Sequence, residues 1–136
     1  MRAKLGALIA VAGLLVSAIP VLAHHSFAAE YDPGKPVTLK GTVTRIEWTN
    51  PHARFYLDVR TEDGAVTHWN LELASPNALL RRGWTRKSLN VGDEVTVQGS
   101  AARDGSKMAN SRQLTLASGQ QVFAGSSGGD APPPAR

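Results

Sequence analysis

The segment "VTLKGTVTRIEW", residues 37–48, limits the folds open to this chain more than any other. Val37, Leu39, Gly41 and Val43 alternate with Lys40, Thr42 and Thr44, which is the period of two expected of a strand with one buried face. The alternation then changes parity, because Ile46 and Trp48 fall on the other register. A strand keeps its buried face through such a change by taking up an extra residue. A bulge or bend is therefore expected near Thr44-Arg45, with Gly41 available for tight curvature.

The segments that follow tell what this bent strand belongs to. "RFYLDVR" turns Phe55, Leu57 and Val59 inward, Asp63-Gly64 is a strong hairpin signal, and "VTHWNLEL" returns with Trp69, Leu71 and Leu73 on the core side. His68, Asn70 and Glu72 then fall on the outer face. "SPNALLRRG" reads as a short helix, with Ser75 as N-cap, Pro76 in the first turn, Leu79 and Leu80 buried and Gly83 ending it. After the "TRKSLNVGD" connection, "EVTVQGSAARDGSKMANSRQLTLA" gives a fourth strand, a turn at Asp104-Gly105 and a fifth strand, and "QQVFA" is placed to extend the sheet. Three strands, a helix and two strands, led by a long bent one, is the order of a small five-stranded, partly open barrel of the oligonucleotide/oligosaccharide-binding type. A meandering open sheet capped by one helix is the competing architecture.

The first 23 residues carry a different signal. Arg2 and Lys4 precede an apolar run from Leu5 to Ile19, and Val21-Leu22-Ala23 offers a small-residue cleavage pattern, so residues 1–23 read as an export signal. A cut after Ala18 would leave Ile19-Pro20 at the new terminus, a poor peptidase substrate, which favours His24 as the mature start. The apolar run is also short for a bilayer span, which needs about 20 residues, and Pro20 interrupts it, so no integral span is expected after cleavage. The destination is the periplasm or the exterior. Cleavage leaves 113 residues, enough for one domain, read as residues 24–124. The small, polar, proline-rich residues 125–136 cannot bury enough apolar area to order themselves and read as a disordered tail.

Charge and motif content narrow the function classes. The mature chain carries 13 basic and 11 acidic side chains, too even a balance for nucleic acid as the main partner. There is no cysteine, hence no disulfide and no thiolate metal site. In such a barrel the ligand face is strands two and three with the first-to-second and fourth-to-fifth strand loops, here "EWTNPHAR" and "AARDGSKMAN". That face carries Arg54, Tyr56, Asp58, His68, Asn70 and Glu72, and a single aromatic is no stacking platform for single strands. Gly-x-Ser-x-Gly, His-Glu-x-x-His and phosphate-binding glycine loops are all missing, and the acidic pairs Glu62-Asp63 and Asp93-Glu94 sit in turns, so the expectation is a protein without enzymatic activity. "RRGWTRK" holds four basic residues that could meet anionic lipid or polymer, or complement the end of the helix.

Several segments together carry a family likeness: "HHSFAAEYDP", "VTLKGTV", "EWTNPH", "LELASPNALLRRGW" and "GDEVTVQG". From His24 to about Ala124 the chain resembles the small exported bacterial proteins grouped as domain of unknown function 6152. The resemblance implies export and a compact β-domain, marks the histidine pair as a family feature, and supplies no catalytic residue.

Chemistry of another kind is offered by the four histidines, His24, His25, His52 and His68. A mature His24 would bear an α-amine beside its imidazole, and a further imidazole would complete a planar nitrogen set of the kind Cu(II) prefers among common divalent ions. This resembles the histidine brace of some exported copper proteins. His52, in the first-to-second strand loop, is one partner for His24; His25 is the other, since an N-terminal dipeptide also chelates through amine, amide and second imidazole. A turn role near Asn50 is the alternative for His52, and a solvated or salt-bridged surface role is expected of His68. The metal-ligand set is thus His24, His25 and His52, with Cu(II) as cofactor. The second functional expectation is a periplasmic binding or accessory module that engages a polypeptide, glycan or small molecule through the barrel face.

Overall fold

A computed structural model describes residues 27–125. The export signal, His24 and His25, and residues 126–136 of the expected tail lie outside the described residues. Residues 27–30 form a single helical turn that belongs to a unit separate from the domain beginning at Tyr31.

The domain is built on six strands: β1 (Tyr31–Glu47), β2 (Arg54–Arg60), β3 (Val66–Glu72), β4 (Glu94–Ala102), β5 (Met108–Thr115) and β6 (Gln121–Phe123), with one helix, α1 (Pro76–Arg81), between β3 and β4. The sheet order is β3-β2-β1-β4-β5-β6. A parallel pairing of Asn70–Glu72 with Met108–Asn110 joins β3 to β5 and closes five strands into a ring, β1-β2-β3-β5-β4. The free edge of β5 is thereby divided between β3 in its first half and β6 in its second. This is the partly open five-stranded barrel, and the open meander is excluded by the β3–β5 closure.

The bend falls where the parity change requires it. The β1–β2 register shifts between Val43 and Arg45, so that Val43 faces Leu57 and Arg45 already faces Tyr56. Beyond it, Ile46 pairs with Phe55 on the core side. A second shift lies between Gln98 and Gly99 on β4, opposite β5. At both bends a glycine permits neighbouring backbones to meet: a Cβ on Gly41 would stand 2.2 Å from the Asp58 carbonyl oxygen, and one on Gly99 2.0 Å from that of Asn110. No side chain fits in either gap.

Inside the ring pack Leu39, Val43, Phe55, Leu57, Leu71, Val95, Val97, Ala109 and Leu114, all buried. One end is closed by α1 and the chain after it, through Leu73, Leu79, Trp84 and Leu89. The helix starts as the sequence suggests: Ser75 Oγ accepts from the Ala78 amide and Pro76 occupies the first turn. Of its two leucines Leu79 turns inward, whereas Leu80, expected inside, is 51% exposed. The helix buries Pro76 and Leu79, three residues apart on one face, and Leu80 lies about 100° further round, on the side left to solvent. The indole of Trp84 is buried and donates to the Phe123 carbonyl at 3.0 Å, fastening the post-helix segment to β6.

Candidate functional site

The outer face of β2 and β3 is a grid fixed by strand register. One row runs Glu47, Arg54, Glu72, Asn110 across β1, β2, β3 and β5; the next runs Arg45, Tyr56, Asn70; a third sets Asp58 beside His68. Alternation alone places Arg54, Tyr56, Asp58, His68, Asn70 and Glu72 on the outside, and Glu72 departs from what that implies. Its side chain is only 5% exposed.

Tyr31, Arg54, His52 and Asn110 converge on the Glu72 carboxylate. The Tyr31 hydroxyl donates to Oε2 at 3.0 Å and Arg54 Nη2 to the same oxygen at 2.8 Å. His52 Nδ1 lies 2.8 Å from Oε1, and Asn110 Nδ2 donates to it at 3.3 Å. Arg54 also donates through Nη1 to Asn70 Oδ1 at 3.3 Å, which ties the first row to the second. A carboxylate shielded from water needs this much: uncompensated burial of the ion would cost several kcal/mol, on the order of the effective desolvation penalty in protein interiors. The cover comes from far along the chain. Tyr31, itself buried, lies 41 residues before Glu72, and Asn110 lies 38 residues after it, delivered by the closure of the ring.

His52 is held in the first-to-second strand loop, which ends where Ala53 exchanges backbone hydrogen bonds with Leu73 and Ala74. An ionised carboxylate can only accept, so Nδ1 is the donor in this contact and Nε2 is the ring nitrogen turned away from it. The ring is 32% exposed at its side chain, with its protonated nitrogen turned to the buried carboxylate. The expected alternative, a bond to the Asn50 region, is replaced by this contact to a residue on β3. His68 fulfils its surface expectation: it is 79% exposed, with Nδ1 2.6 Å from Asp58 Oδ1. Among the described residues no group of three or more histidine, aspartate or glutamate side chains is arranged to hold a metal ion.

The second row carries a cation–aromatic stack. The Arg45 guanidinium lies 3.8 Å from the centre of the Tyr56 ring, and Arg45 also pairs with Glu47 at 3.1 Å. On the opposite side of β3, where Trp69 shares a row with Leu57, Lys107 of the β4–β5 loop stands 5.2 Å from the indole ring centre. The outer face is therefore polar, with its acidic and basic side chains paired and Tyr56 as its aromatic, and its side chains are restrained on more than one side.

The model of a family of unknown function (DUF6152) matches residues 11–111. The chain belongs to DUF6152. None of the curated proteins matches the sequence. Among solved structures, the chain is similar to the mitochondrial single-stranded DNA-binding protein Rim1 from S. cerevisiae, with 12% identity and a TM-score of 0.48, covering 61% of this chain and 93% of that one. The barrel assignment for this DUF6152 domain rests on its own strand order and closure.

The Glu72 cluster had one partial sequence signal. Arg54 and Glu72, of opposite charge, both fall on the outer face by alternation, and they are cross-strand neighbours in a hairpin whose pairs are centred on Asp63. The contributions of Tyr31 and Asn110 had none, since both depend on how the ring closes.

Proposed function

We propose that this DUF6152 chain is an exported, non-enzymatic protein that binds Cu(II). In this reading His24, as the mature terminus, supplies α-amine and imidazole, and His25 or His52 completes the nitrogen set. The observation that supports it is the orientation of His52. Imidazoles that ligate metals donate their second ring nitrogen to a carboxylate or carbonyl, which fixes the tautomer and aims the lone pair. His52 has that arrangement, with Nδ1 on Glu72 and Nε2 as the nitrogen left to coordinate. Nitrogen-rich sites of this kind favour Cu(II).

The test is calorimetric titration of Cu(II) into the processed protein and into His24→Ala, His25→Ala and His52→Ala variants, each checked for cooperative melting. His24→Ala is expected to lose the tight site. A loss shared with His52→Ala assigns the barrel histidine as partner; a loss shared with His25→Ala assigns the terminal dipeptide. Unchanged affinity in His24→Ala would contradict the proposal.

A second reading has its own support. The rows on β2 and β3 place Arg45, Tyr56, Asn70 and His68 on the face such barrels use for ligands, with Arg45 stacked on Tyr56. A module of this kind would engage a periplasmic polypeptide, glycan or small molecule. NMR screening of a chain beginning at Phe27 against peptide and oligosaccharide libraries tests it, since a site on the barrel face survives the loss of His24 and His25.

A further inference from the structure

The segment from Leu73 to Gly92 contains four basic side chains and no acidic one. Arg81, Arg82, Arg86 and Lys87 are all exposed. Among the described residues none of the four forms an ion pair, whereas Arg45, Arg54 and Arg103 each have a carboxylate within 4 Å. The helix end accounts for part of this arrangement. Arg81 and Arg82 complement the C-terminal dipole of α1, but that effect fades within the last turn and does not reach Arg86 or Lys87.

Two of the four cations, Arg82 and Arg86, are also held in place. Buried Trp84 sits between the two pairs and anchors the segment through its bond to the Phe123 carbonyl. On one side Arg82 donates to the Gly125 carbonyl at 2.6 Å, with its guanidinium 4.6 Å from the Phe123 ring centre. On the other, Arg86 reaches 6.0 Å from the ring centre of Trp48 in the first-to-second strand loop. Partial burial, and then the charge of Arg81 beside it, hold Arg82 below the usual arginine pKa. Next to the first pair stands Leu80, a large apolar side chain left half exposed on the helix while Leu79 fills the core.

We infer that Leu80, Arg81, Arg82, Arg86 and Lys87 form a surface that docks on bilayers bearing anionic phospholipid headgroups. Unpaired cations meet lipid phosphates, and Leu80 enters the headgroup boundary beside them, the mixture of basic and apolar side chains that favours an interface over a soluble polyanion. The surface is independent of the histidines and of the β2–β3 face.

Flotation of the purified protein with vesicles of phosphatidylglycerol and phosphatidylcholine, against vesicles of phosphatidylcholine alone, tests this directly. All variants are compared in the same processed form, so any contribution of the N-terminal segment is common to them. The wild type is expected to float with the anionic vesicles only, and less as salt rises. Arg81→Gln/Arg86→Gln/Lys87→Gln spares the Arg82 contacts to Phe123 and Gly125, and should weaken partitioning by about a hundredfold, at roughly fivefold per cation near an anionic surface. A control with Lys35, Lys40 and Arg60 changed to Gln, equal in charge, should bind like the wild type. Leu80→Gln should weaken binding several-fold. Equal losses in the triple variant and its control would reduce the effect to net charge and overturn the inference. Absence of binding to anionic vesicles would overturn it as well, and so would binding to inorganic polyphosphate or single-stranded oligonucleotide as tight as to vesicles and indifferent to Leu80→Gln.

Discussion

The domain carries two histidine–carboxylate pairs on the outer side of its barrel, and they differ in everything but the contact itself. His52 meets Glu72 and His68 meets Asp58, each through Nδ1, at 2.8 and 2.6 Å. The shorter contact is the more exposed one. Asp58 is about one-third exposed and His68 mostly so, and water and salt screen an attraction of that kind to about 0–1 kcal/mol. Glu72 is shut off from water and shared among groups from β1, β2, β5 and the first-to-second strand loop. Distance alone therefore does not rank the pairs. Burial and the number of donors do, and they make Glu72 a point at which the ends of four segments are fixed.

The largest expected effect breaks this contrast at its stronger end. Glu72→Gln introduces amide hydrogens among donors and leaves the Arg54 guanidinium without its charge partner. Chemical denaturation should show a loss of about 3–5 kcal/mol, the cost of removing one member of a buried pair. If Cu(II) uses His52, the same variant should bind it ten- to a hundredfold more weakly, on the scale of lost outer-shell support.

Tyr31→Phe removes a single donor and leaves the others in place. A loss of about 1.5–3 kcal/mol is expected, the range for a hydrogen bond to a charged group, read in the same denaturation series. At the weaker end, Asp58→Asn and His68→Ala should each change stability by less than about 1 kcal/mol, with the difference from wild type shrinking in high salt. A loss from Asp58→Asn as large as that from Glu72→Gln would erase the distinction between the pairs.

The smallest effect sharpens the contrast by pH. Asp63, fully exposed in the β2–β3 turn, accepts from the Thr61 hydroxyl and then the Ala65 amide, which hold its pKa below the ordinary 3.8. A carboxyl depressed on folding contributes stability above its unfolded value, and that contribution is lost as pH falls through the lower folded one. Asp63→Asn should therefore leave a slightly flatter stability profile below about pH 4, checked by thermal melts across the acid range.

How much of this was legible in the sequence follows the same division. The parity change between Val43 and Ile46 gave the bulge to within a residue, because side-chain alternation reports directly on register. Ser75 and Pro76 marked the helix start, since capping is a local chemistry. Leu80 reads as buried from its residue type, but it lies one position past the Pro76–Leu79 face that the helix turns inward. Glu72 was assigned the correct face and the wrong environment. Alternation tells which side of a strand a residue occupies, but Tyr31 and Asn110 reach that side only after β3 and β5 have met. The bond from His52 to Glu72 is hidden for another reason: His52 lies in a loop, before the first paired residue Arg54, where alternation does not set the direction of a side chain.

The account turns on a mature His24 that binds Cu(II) with a second imidazole. The most direct test is electron paramagnetic resonance of the Cu(II)-loaded protein with a verified His24 terminus, beside a protein carrying one additional residue before His24. A tetragonal, nitrogen-rich signal in the first that is lost or altered in the second is the predicted result. Identical weak binding and identical signals from the two would contradict it.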